Sequence, residues 1–98
     1  MQDTISRQSI VVVTGGQVSC DLADEVAILD IQSGIYYGLN SVGAFIWSLI
    51  QEPRSVHEVC QQLTEEYEVD PERCERDVLA VLQDLKVKGL IQINEEAM

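Results

Sequence analysis

An enzyme needs at least a nucleophile, a base and a group that polarises the substrate. Few residues in this chain bear on that requirement. Histidine is the side-chain type best suited to acid–base work near neutral pH, and His57 is the single histidine. On a helix it would touch Cys60, three positions on, but Cys60 falls on an apolar stripe, where a buried thiol is inert. Cys20, Cys60 and Cys74 contain no CxxC pair and are odd in number, which fits reduced cytosolic thiols rather than a disulfide framework. A zinc site would require the fold to gather His57 and cysteines from distant positions. The expectation is therefore no enzyme, no metal and no cofactor, with His57 on the surface.

Charge narrows the partners. Seventeen acids against six bases leave a formal net charge of −11, concentrated in residues 65–77, "EEYEVDPERCERD". Such a field repels phosphate and attracts a peptide carrying Lys or Arg, or it serves only to keep the domain soluble. The apolar runs, such as Ile10–Val13, are too short to cross a bilayer, and "MQDTISRQS" has neither the basic start nor the apolar stretch of a signal peptide. No nucleic acid, no membrane and a cytoplasmic location are the expectations.

The elements that position these residues can be read from hydrophobic period. The 98 residues make one domain, 1–98, with an ordered part of about 10–93 and a frayed polar start at residues 1–9. Ile10–Thr14 is strand-like and ends at the turn signal Gly15-Gly16. Three further strands follow: Val18–Leu22 alternating, Val26–Ile31 continuous, and Ile35–Leu39 bounded by "QSG" and Asn40. Short links make them an antiparallel meander. Successive side chains alternate, so Tyr36 and Tyr37 point to opposite faces. Ile35, Tyr37 and Leu39 are assigned inward, which leaves Tyr36 outside the core.

From Asn40 the period becomes helical, with Val42, Phe45, Ile46, Leu49 and Ile50 on one side, Asn40 or Ser41 as N-cap, and Pro53 closing the region. Ser55-Val56-His57-Glu58 matches a capping box, and Val56, Val59, Cys60, Leu63 and Tyr67 line the buried side of a second helix. Asp70-Pro71 opens a third helix that Gly89 ends. Its stripe is Cys74, Val78, Val81 and Leu85. Projected at 100° per residue, Glu75, Leu79, Leu82 and Lys86 fall on one flank of the stripe, and Asp77, Asp84 and Lys88 on the other. The surplus leucines mean either a wide core contact or one wall of a groove. The terminal "LIQIN" closes as a short strand or packs down. The fold class is α+β, a three-stranded antiparallel sheet followed by three helices, in a winged-helix-like order. A DNA-reading winged helix is disfavoured, because Glu72, Glu75, Asp77 and Asp84 offset Arg73, Arg76, Lys86 and Lys88 on the third helix.

Tyr36-Tyr37-x-Leu39-Asn40 followed by Gly43 and Ile46-Trp47, then "SVHEVCQQLTEEYEVD" and "DVLAVLQDLKVKGLI", resembles the PqqD-like family of peptide-recognition domains. The resemblance runs from about Val18 to Ile91. It implies a RiPP recognition element, a non-catalytic module that captures the leader of a ribosomally made precursor peptide. The leader pairs with the edge of the third strand of the meander and lays side chains into the groove between that strand and the third helix. "GIYYGLN" looks most like the free-standing members of lasso-peptide pathways, whose partners are a leader-cleaving cysteine protease and an ATP-dependent cyclase. The PqqD branch, a peptide chaperone for a radical enzyme in quinone-cofactor synthesis, is the alternative within the family.

Strand addition suits an edge whose free N–H and C=O groups pair with any extended peptide, while pockets for alternate side chains give selectivity. The peptide-binding set expected from this is Ile35, Tyr36, Tyr37, Gly38 and Leu39 on the strand, with Glu75, Val78, Leu79, Leu82 and Lys86 on the helix. Glu75 and Asp77 would meet leader cations.

Overall fold

The computed structural model describes residues 5–23 and 25–94. The chain order is β1 (Ile10–Val13), β2 (Gln17–Leu22), β3 (Glu25–Asp30), β4 (Ile35–Leu39), α1 (Ser41–Leu49), β5 (Arg54–Ser55), α2 (Val56–Glu66), α3 (Pro71–Val87) and β6 (Ile91–Asn94). The expected meander is one three-stranded antiparallel sheet in the order β2-β3-β4. A second sheet, in the order β5-β1-β6, was not expected. In it Val11 pairs with Ile93 and with Arg54, a closure between chain ends that no local period reveals. The run "LIQIN" accordingly closes as a strand.

Local chemistry sets the helix ends. Asn40 Oδ1 accepts from the Gly43 N–H at 2.9 Å and starts α1. Gly43 sits tightly where the strand meets the helix: an added Cβ would lie 3.2 Å from Leu39 Cβ, so Leu39 would have to give way by a few tenths of an ångström. Ser55 and Glu58 form the capping box, with both bonds at 3.1 Å. Asp70 Oδ2 accepts from the Arg73 N–H at 3.2 Å, with Pro71 in the first turn. Gly89, at φ 76°, ends α3, and the Leu90 N–H donates to the Leu85 carbonyl while the Gly89 N–H donates to that of Lys86. This is a Schellman motif, which a side chain at Gly89 would strain.

The core gathers Ile28 of β3, Ile46 and Trp47 of α1, Val56, Val59 and Leu63 of α2, and Cys74, Val78, Leu82 and Leu85 of α3. Two expectations change here. Leu82 is 0% exposed and takes the place in the buried stripe expected for Val81, which is half-buried. Residues 5–9 are held in place: Ile5 is 5% and Ser9 2% exposed, and the Val56 and His57 N–H groups donate to the Ser9 and Arg7 carbonyls at 3.0 and 3.1 Å. These bonds satisfy free N–H groups of the first turn of α2, which is why a polar segment stays docked. The rest of the expected frayed start, residues 1–4, lies outside the described residues.

Candidate functional site

β4 is the last strand of its sheet. It pairs with β3 in the register Val26 to Leu39, Ile28 to Tyr37 and Asp30 to Ile35, and with no strand among the described residues on its other side. Five residues long, it leaves a free edge long enough for an extended peptide to pair with. The two tyrosines separate as alternation requires: Tyr37 and Leu39 are half-buried against the core, while Tyr36 is 70% exposed on the opposite face with Gly38. Ile35 departs from its inward assignment and is 50% exposed. Its cross-strand neighbour is Asp30, which pairs in turn with Gln17, so this end row of the sheet has no apolar partner to cover it.

α3 reaches β4 through Lys88, which lies on the flank opposite to the one expected. Lys88 Nζ lies 4.9 Å from the centre of the Tyr37 ring and 2.7 Å from Asp84 Oδ2. Asp77, Val81, Asp84 and Lys88 recur at i, i+4, i+7 and i+11, one continuous strip of helix surface. Beyond Leu39 the strip runs into an open pocket of about 470 Å³ between the start of α1 and the start of α3, lined by Val42, Leu63, Tyr67 and Asp77 among others.

The expected flank lies elsewhere. Glu75 Oε1 stands 3.7 Å from Arg7 Nε, on the side of α3 that meets the N-terminal segment and α2. Arg7 also reaches His57, Nη2 to Nδ1 at 3.3 Å. Val78 and Leu82 are fully buried, and with no exposed surface they belong to the core, not to a groove wall. Leu79 and Lys86 are half-buried on the Glu75 side. Leu82, projected onto the Glu75 flank, turns into the core, and the rotation of the helix in the fold decides which residues approach β4.

Two of the three thiols, Cys60 of α2 and Cys74 of α3, lie close together. Cys74 Sγ approaches the Cys60 carbonyl at 3.9 Å, and burial pushes both thiols up. Cys60 rises from an ordinary 9.0 to about 11, with the neighbouring Cys74 and Glu75 adding to the effect of burial. A thiol so protonated is a poor nucleophile near neutrality. Among the described residues no helix is long and apolar enough to cross a membrane.

Comparisons with known proteins bear on the family and the fold. A family model for coenzyme PQQ synthesis protein D (PqqD) matches residues 25–91. No curated protein matches the sequence. Among solved structures, TbiB1 in complex with the TbiA(beta) leader peptide superposes with a TM-score of 0.77 at 36% identity, over 89% of this chain and 99% of that one. Lasso peptide synthetase B1 complexed with the leader peptide gives 0.75 at 30% identity, over 84% and 96%. A PqqD truncation of Methylobacterium extorquens PqqCD, a stand-alone RiPP recognition element, shares the fold at 19% identity with a TM-score of 0.76, over 91% and 95%.

Proposed function

The chain belongs to the PqqD family, and from that premise we propose that it is a RiPP recognition element that captures the leader of a ribosomally made precursor, a lasso peptide in the first instance. The observation that carries the reading is the unpaired edge of β4 beside the Asp77–Lys88 strip of α3. An extended leader gains main-chain hydrogen bonds along that edge, and its alternate side chains enter the groove. The chain performs no chemistry itself. It passes the bound precursor to a separate leader-cleaving cysteine protease and an ATP-dependent cyclase, in the cytoplasm, where its three free thiols stay reduced. The gain for those enzymes is effective concentration.

The family model favours a second reading, a peptide chaperone for a radical enzyme in quinone-cofactor synthesis. The two structures at 30% identity or more, both leader complexes, support the lasso assignment over it.

The test is a titration of the isotope-labelled chain with synthetic TbiA(beta) leader peptide. Binding should move the amide signals of Ile35–Leu39 and slow their hydrogen exchange. Saturable binding that leaves these amides unchanged and moves another region would overturn strand addition at β4. In a companion assay, mass spectrometry should find the precursor intact after incubation with the chain alone.

A further inference from the structure

The pocket at the far end of the β4 groove indicates which leaders this chain accepts, an inference that rests on the leader-binding reading above. Its lining combines the apolar Val42, Leu63 and Tyr67 with the exposed Glu68, Asp70, Arg73 and Asp77 at its mouth. Of the mouth acids, Asp70 is committed to capping α3. Asp77 meets Arg73 at 4.0 Å, and both side chains are well exposed, at 65% and 76%, so the pair is weak and leaves the carboxylate open to another cation. Glu68 forms no ion pair among the described residues. The mouth is therefore net negative, on a chain whose formal charge is −11.

Position ties this pocket to the peptide path. Val42 stands in the first turn of α1 just past Leu39, and Asp77 begins the strip that reaches Tyr37 through Lys88. A strand laid along β4 and continued beyond Leu39 would run towards Val42, which lines the pocket. We infer that the leader recognised here places an apolar or aromatic residue in this pocket and a Lys or Arg beside it, facing Glu68 and Asp77. An acidic residue at that place would be rejected, since like charges are brought together there without compensation.

The experiment selects peptides from a random display library on the immobilised full chain. An enriched basic peptide and its Lys/Arg→Gln copy are then titrated into the parent and into a Glu68→Gln, Asp77→Asn double variant. Both positions are exposed, so the variant keeps the core intact. Enrichment of Lys or Arg next to an apolar anchor is expected, with a preference of about fivefold to tenfold for the basic peptide at low salt, falling to about twofold in the double variant and at high salt. Peptides that move the Ile35–Leu39 amides without any preference for a base, or with one that survives in the double variant, would sink this inference and leave the leader-binding reading standing. If no selected peptide moves those amides, both fall together.

Discussion

The two flanks of α3 carry similar residue types and have opposite fates. On one, which carries Glu75, Leu79 and Lys86, Arg7 of the docked segment at residues 5–9 pairs with Glu75, and Ile5 of that segment joins the core. On the other, which carries Asp77, Val81, Asp84 and Lys88, Lys88 reaches Tyr37 of β4, and no strand among the described residues pairs with the outer edge of β4. The chain docks its own N-terminal segment against the first flank, leaving a shallow pocket of about 320 Å³ among Arg7, Cys60 and Glu75, and sets no strand of the described residues beside the second. A helix flank becomes a binding wall when the element across from it is a strand with free backbone groups, and hydrophobicity alone does not decide this.

That contrast can be broken most sharply at Leu82. Because it is fully buried, Leu82→Ala should cost about 2–5 kcal/mol of stability through lost transfer and a residual cavity, read as a lowered thermal midpoint. The folded fraction should still bind leader peptide with parental affinity. A Leu82→Ala variant as stable as the parent but deficient in binding would return the groove to the flank first expected.

Cys60 tests whether the Glu75 side is closed. With its thiol held up near 11 instead of 9.0, it should be alkylated at pH 8 about a hundredfold more slowly than an unperturbed thiol, and the exposed Cys20 should be modified first. The sign follows from burial disfavouring the thiolate, so the rate should climb as pH rises towards 11. Equal rates for Cys20 and Cys60, followed by peptide mass mapping, would mean that this side opens in solution.

Lys88 probes the open side. Lys88→Ala removes the ammonium over Tyr37 and the contact to Asp84, and should lower leader affinity about threefold while costing less than about 1 kcal/mol of stability. Calorimetric titration alongside a melting curve separates the two effects, and unchanged affinity would remove Lys88 from the groove. The smallest effect is expected at Glu75→Gln, which loses only the exposed pair with Arg7. Stability should change by about 0–1 kcal/mol and leader affinity not at all. A clear loss of affinity there would contradict the assignment of flanks.

Much of this protein was legible in its sequence, because the signals are local. Asn40, the Ser55–Glu58 box, Asp70-Pro71 and Gly89 each act on backbone groups within a few residues, so the helix ends stand where the residue types require. The alternation in "IYYGL" separated Tyr36 from Tyr37 for the same reason. Tertiary structure alone decided three things. Residues 5–9 dock because their carbonyls meet the start of α2, β1 finds β6 across nearly the whole chain, and α3 is rotated to turn Leu82 inward and Lys88 towards Tyr37. A period of 3.6 residues specifies that a helix has a buried face and two flanks. Which flank meets a strand edge is set by packing against partners far away in the chain, and local sequence carries no record of it.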